Sequence, residues 1–389
     1  VISEQIRRRD PWALGVAASA GAFVLGLAFA GWAGAARVWS TLLLDNFYFL
    51  TLALAAIVFI AIQYLTQAGW WVVVRRVPEA MVGFLPVAAG LTLLLFFGRK
   101  VLYAWSRPGA AANDALIAAK SSYLNTPFFF LRLVLFLGVW TGFAFALRRL
   151  SRAQEAESDG VASHRRLTKL SAAFIPVFSL TFALASFDWV MSLDPHWYST
   201  IFGVYCFAGL FQGGIAAIAL FVVLLRRRGA LAGYVQESHL HDLGKLLFAF
   251  SIFWAYIWAS QYLLIWYSDI PEEVTFYVDR TTGPWAIWFW GAFAFNFVIP
   301  FFVLMPRAAK RNPRILAAAA IVVLVGRWFD LYSLIGPPVL GRPSVGPMEI
   351  LLTAGYAGLF TLVCLRLLSQ APAVAARDPY LGESLAHHV

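Results

Sequence analysis

The sequence predicts an all-α polytopic membrane protein of about ten transmembrane helices, with both termini in the cytoplasm. Of its 389 residues 61% are hydrophobic and only 13% charged, about half the ~25% charge of soluble domains, so a water-facing surface cannot be built. The apolar residues gather in runs of about 20, the length that crosses a bilayer's hydrocarbon core. The 30 Lys and Arg against 20 Asp and Glu, a net charge of +10, sit in short runs between those stretches. Nucleic-acid binding needs basic residues clustered on a soluble face or in a tail, so the excess reads as membrane topology and no nucleic-acid partner is expected.

The spans are read at 12–35, 43–70, 78–98, 126–148, 170–191, 199–225, 245–268, 283–306, 314–334 and 347–369 of a single membrane domain, 1–389, followed by a cytoplasmic tail, 370–389. The first span follows Arg7-Arg8-Arg9, and its apolar run exceeds the 7–15 residues of a signal-peptide h-region, so it is read as a retained helix. With the N-terminus inside, the outer loops receive only Arg37, Arg99, Lys100, Arg107, Lys120, Arg280 and Arg342. Arg132 and Arg327 fall within spans, and every other Lys and Arg lies on the inner side, as the positive-inside rule requires. The longest connections, 99–125, 149–169 and 226–244, are too short for a separate catalytic domain.

A weak internal echo links Phe187-Asp188-Trp189 near the end of span five to Phe329-Asp330-Leu331 near the end of span nine. Four spans separate them, the offset of a parallel four-helix repeat about an axis along the membrane normal.

The six histidines, His164, His196, His239, His241, His387 and His388, are read in loops or the tail. Bis-histidine haem ligation from facing helices is therefore not expected. Cys206 and Cys364 lie far apart in apolar segments, without the spacing of an iron–sulfur ligand set or a disulfide framework. No Walker loop, dinucleotide fingerprint or HExxH pair occurs, and no metal site is expected. His239-x-His241-Asp242 reads as solvated or capping residues.

Intramembrane ionisable residues carry more information, because a charge at the bilayer centre costs about 2.5–3.5 kcal/mol on insertion scales. Arg132 lies about 9 Å into span four at 1.5 Å per residue. Arg327 and Asp330 are three apart on one helix face and can pair. Asp188 and Asp269 close spans five and seven, and Asp45 and Asn46 open span two. Asp188, Asp330, Arg327, Asp269 and Arg132 are proton-path candidates; the competing reading makes them structural pairs that hold helices together. Gln261 and Tyr262, within an aromatic stripe on span seven, and His196 in the loop between spans five and six are candidate contacts for a quinone.

Several stretches carry a resemblance. Ser186-Phe-Asp-Trp-Val-Met-Ser-Leu-Asp-Pro-His-Trp-Tyr-Ser-Thr-Ile-Phe-Gly-Val-Tyr205, His241-Asp-Leu-Gly-Lys-Leu-Leu-Phe-Ala-Phe-Ser-Ile-Phe-Trp-Ala-Tyr-Ile-Trp-Ala-Ser-Gln-Tyr262, Tyr123-Leu-Asn-Thr-Pro-Phe-Phe-Phe-Leu-Arg132, Trp266-Tyr-Ser-Asp-Ile-Pro-Glu-Glu273 and Asp378-Pro-Tyr-Leu-Gly-Glu-Ser-Leu385 resemble the F subunit of bacterial alternative complex III. That subunit is similar to the membrane anchors of the NrfD and polysulfide-reductase type. The resemblance runs from about residue 100 to the C-terminus. It implies two four-helix bundles, 43–191 and 199–334, flanked by helices 12–35 and 347–369. It further implies a bacterial inner-membrane subunit, without a covalently bound cofactor, of a complex that oxidises menaquinol or ubiquinol. Its implied partners are a homologous NrfD-like subunit, an iron–sulfur subunit, multihaem cytochrome c subunits and a terminal oxidase as acceptor; lipids would surround it. A stand-alone secondary transporter and a purely structural anchor remain the alternatives, and Pro86, Pro176 and Pro300 interrupt spans without matching positions in the two halves.

Overall fold

The computed structural model describes residues 9–155 and 160–388, and every regular element among them is helical. Arg7, Arg8, Glu157 and Asp159 lie outside the described residues. The chain is an all-α polytopic membrane protein: nine helices among the described residues are long and apolar enough to cross a bilayer. With the helix that precedes them, α1 (Arg9–Ala30), they are α2 (Ala35–Leu65), α3 (Arg76–Leu102), α4 (Thr126–Gln154), α5 (Gly160–Leu193), α6 (Phe202–Arg227), α7 (Glu237–Ser268), α8 (Gly283–Leu304), α9 (Pro313–Leu340) and α10 (Pro347–Leu368).

Several boundaries differ from the sequence reading: α4 runs on to Gln154 instead of 148, α5 begins at Gly160 instead of 170 and α7 at Glu237 instead of 245, and two more lie at the start of the chain. Helix α1 stops at Ala30, short of residue 35, where Gly31 and Gly34 punctuate the chain. Helix α2 starts at Ala35 instead of 43, so Asp45 and Asn46 do not open it. They lie about 15 Å inside it at 1.5 Å per residue.

A helix that is apolar all round belongs in an interior. Helices α2 and α6 form that interior, with 89% and 83% of their most apolar windows buried against 28% for α8 and for α10; α3, as apolar as α2, is 44% buried, so packing as well as composition decides which spans face lipid. Helices α2 and α6 pack on each other at the centre, α2 also against α3, α5, α9 and α10, and α6 against α5, α7 and α9. Their close approach needs a small residue: a Cβ on Gly214 of α6 would sit 2.1 Å from Cβ of Ala55 on α2. Small residues at such crossings replace the hydrophobic drive that lipid removes. Helix α10 does not follow α9 back along its side. After Gly341, at φ +69°, it packs on α1, α2 and the start of α3.

Prolines inside spans remove backbone donors, and lipid cannot satisfy the carbonyls left behind. Neighbouring side chains do so here. Pro337 and Pro338 free the carbonyls of Ser333 and Leu334, and Arg280 donates Nε to the first at 2.9 Å and Nη2 to the second at 3.2 Å. Pro300 frees the carbonyl of Asn296, next to a π-helical turn at Ala294–Val298, and Gln212 Nε2 of α6 donates to it at 2.6 Å. Arg280, expected as an outer-loop charge, is therefore buried, and burial pulls its guanidinium down to about 10.

Candidate functional site

Ionisable groups collect at two levels of the bundle. The far face, opposite the C-terminal tail, carries the pairs built around Asp188 and Asp330. The tail face carries a larger network.

On the far face Asn125 accepts from the Phe128 amide at 2.9 Å and Pro127 occupies the first turn, so α4 starts at a fixed place. This sets Arg132 two turns in, where it grips Asp188 of α5 with both prongs, Nε to Oδ2 at 2.7 Å and Nη2 to Oδ1 at 3.0 Å. Arg132 is 5% exposed and Asp188 fully buried. A third donor, Nη1, reaches the Tyr123 carbonyl at 3.2 Å, and the Tyr123 ring lies 3.9 Å from the guanidinium. The sequence offered Arg132 and Asp188 separately; the structure makes them one bidentate pair.

Asn312 and Pro313 start α9 in the same manner, with Asn312 accepting from the Arg314 amide at 2.9 Å. Arg327 Nη1 then bonds Asp330 Oδ2, as their spacing predicts, and Tyr205 of α6 donates to Asp330 Oδ1. Tyr205 was not among the sequence candidates. Its only signal was a position in the first turn of the span that faces Asp330. Gly209, one turn further along α6, makes room for the arginine: a Cβ there would lie 2.2 Å from Arg327 Nη1.

Deeper in the second bundle, Gln212 Nε2 bonds Ser251 Oγ at 3.0 Å as well as the Asn296 carbonyl. Arg327 Nε and Nη2, Gln212 Oε1 and Asn296 Oδ1 are buried without a protein partner. Buried polar atoms without partners are costly in an apolar interior and mark places suited to water. Donors and acceptors of matching type thus lie along one side of α6, from Tyr205 to Gln212.

The remaining sequence candidates are not drawn into these pairs. Asp269 is an exposed C-cap of α7 at φ +48°. Gln261 is buried on α7. Tyr262 packs edge-on against Tyr277 at 5.1 Å. His196 pairs with Asp114 at 2.7 Å on the surface, where the Ile117 amide first and His196 second hold the Asp114 carboxyl below its ordinary range. Gln261, Tyr262 and His196 therefore do not converge on one another through any of these contacts.

On the tail face Arg75 is fully buried and reaches Glu79 (2.6 Å), Gln154 (2.8 Å), Ser151 (2.8 Å) and Asp378 (2.7 Å). Arg76 bonds Glu79 at 2.7 Å and pairs with Glu155. The tail is built into this face. Ser384 Oγ donates to the Trp70 carbonyl at 2.8 Å, Ser238 Oγ to the His387 carbonyl at 2.7 Å, and the His387 ring meets Asp242 at 2.5 Å. Three histidines expected in loops lie in helices: His164 in α5, His239 and His241 in α7. His239 caps its helix, Nδ1 accepting from the Gln236 amide at 3.0 Å with Nε2 3.0 Å from the Ser384 carbonyl. Among the described residues no three His, Cys, Asp or Glu side chains form a metal-ligating group.

In comparison with known proteins, no family model matches the chain and no curated protein matches it.

Proposed function

We propose that the chain is an integral subunit of a bacterial quinol-oxidising respiratory complex of the alternative complex III kind, in which it forms scaffold and proton path. Both termini would face the cytoplasm. The partners would be a homologous NrfD-like subunit, an iron–sulfur subunit and multihaem cytochrome c subunits, with menaquinol or ubiquinol as the pool and a terminal oxidase downstream.

The observation that carries the reading is the set of charges held inside the apolar bundle. A buried ion pair is weak as a stabiliser, since apolar residues of similar volume often do as well or better. Retaining Arg132 with Asp188, and Arg327 with Asp330 and Tyr205, is better explained by carboxylates that exchange protons. The unpartnered atoms of Arg327, Gln212 and Asn296 extend that polarity toward the tail face. The motifs that carry the resemblance include Arg132, Asp188 and Asp378, so the same residues supply the family likeness and the two charged levels.

The test begins with the tagged chain extracted from bacterial membranes in mild detergent. Co-purification of covalent haem and iron–sulfur subunits is expected, and an isolated chain with none would sink the complex reading. In the assembled complex Asp188→Asn and Asp330→Asn should keep assembly and lower proton release per electron. Unchanged proton release in both variants would leave only the scaffold.

A further inference from the structure

We propose that the lateral cleft between α9 and α10 binds an uncharged, hydroxyl-headed amphiphile with a long hydrocarbon chain. This chemistry is shared by an isoprenoid quinol and a neutral glycerolipid.

The cleft exists because α10 packs on α1, α2 and the start of α3 and leaves the flank of α9 open. Its volume is about 630 Å³, within the range of ligand pockets. Phe49 of α2 and Phe221 of α6 form the floor, and the exposed Ile321, Val325 and Ala354 form a rim that opens sideways, toward lipid. Along α10 the lining runs from Ile350 to Thr361, about 16 Å at 1.5 Å per residue. That is one leaflet of a hydrocarbon core about 30 Å thick, so an extended chain lying along the membrane normal fits its length.

The polar end of the cleft selects the head. Thr353, in the lining, donates to Asp45 Oδ1 at 2.8 Å, and Trp328 Nε1 donates to Thr353 Oγ1 at 3.1 Å. Asp45 is fully buried, and its Oδ2 has no protein partner. This acceptor behind the lining calls for a donor, reached directly or through one water. Glu349, next in sequence to the lining residue Ile350, neutralises the guanidinium of Arg37 through contacts of 2.6 and 2.7 Å, and that guanidinium lies against Gly346, next to the lining residue Val345. A phosphate head would meet an arginine already paired and two carboxylates, whereas a hydroxyl meets an acceptor.

The quinol alternative rests on the proposed function; the site itself does not. The test is equilibrium dialysis of radiolabelled decylubiquinol, monooleoylglycerol and oleoyl-lysophosphatidylglycerol against the delipidated full chain in detergent. At least one neutral probe should bind one-to-one and at least tenfold more tightly than the anionic one. Ala357→Phe, which fills the cleft, should weaken that binding at least tenfold, and Thr353→Val, which keeps the shape and removes the hydroxyl, several-fold. Thermal unfolding of each variant establishes that it is folded, and Thr353→Val serves if Ala357→Phe is not. Decylubiquinol binding alone supports the site as a quinol site, and monooleoylglycerol binding alone supports it as a lipid site whatever becomes of the respiratory reading. Saturable binding of neither, equal binding of the anionic probe, or binding untouched by both substitutions would overturn the proposal.

Discussion

The far face and the tail face hold similar residue types in opposite ways. On the far face Asp188 and Asp330 each have one arginine, and one of these pairs, Arg327 with Asp330, leaves guanidinium nitrogens unpartnered in the interior. On the tail face Arg75 alone has four side-chain partners drawn from α3, α4 and the tail. A fully satisfied network fixes geometry, while a partly satisfied one is costly unless it does something. Arg75 thus gathers side chains from three parts of the chain, although Arg76 Nε beside it is itself unpartnered, whereas Asp188 and Asp330 are held by one arginine each; under the proposed function those two far-face carboxylates are the ones that exchange protons.

The sharpest way to break this distinction is at Arg75. Arg75→Met leaves Glu79 and Asp378 buried without their central cation, a class of change that costs about 3–5 kcal/mol. Thermal unfolding in detergent should show the loss, and proteolysis of the tail should speed up with it. Arg132→Met on the far face strands a single carboxylate, Asp188, and should cost about 3 kcal/mol in the same assay, without loosening the tail. If both substitutions expose the tail equally, the two faces are not independent.

Arg280→Met ranks next. It uncovers the carbonyls of Ser333 and Leu334, at about 1–3 kcal/mol for each unsatisfied buried group. Combining it with Pro337→Ala and Pro338→Ala restores the backbone donors and should recover most of the stability. Absence of any recovery in the triple variant would mean that Arg280 acts through something other than those carbonyls.

The smallest effect lies at the surface. Asp114 has a depressed folded-state pKa, so the stability it contributes is present above the ordinary carboxylate range and is lost as pH falls through the folded value. Amide protection around His196, taken relative to the intrinsic exchange rate at each pH, should fall as pH is lowered from about 5 to about 3, and Asp114→Asn should remove that dependence.

Much of the far face was legible in the sequence. Arg327 and Asp330 stand three apart on one helix, and their pairing follows from helical geometry alone. Arg132 and Asp188 are 56 residues apart, and only the packing of α4 on α5 joins them. The signal at Tyr205, a place in the first turn of α6, did not single it out, because an interfacial aromatic has the same pattern. The docking of the tail was not legible for a related reason: Asp378, Ser384 and His387 have no apolar periodicity, and polar segments are held by specific hydrogen bonds that no repeat announces. Arg280 looked like a topology charge because a proline-freed carbonyl and its donor, 53 residues apart, leave no local trace. The existence of the spans was readable, since length and hydropathy are summed over some twenty residues, but several starts were not: polar first turns hid the beginnings of α5 and α7, and Arg37 with its distant partner Glu349 disguised the first turns of α2 as a loop.

The most direct test replaces the whole far-face pair. Arg132→Met with Asp188→Leu removes both charges at once, a change that buried pairs tolerate with little or no loss of stability. In the purified complex in proteoliposomes, parent-like thermal unfolding together with lost quinol-driven proton release is the expected result. Parent-like unfolding with parent-like proton release would contradict it and make Arg132 and Asp188 a structural pair.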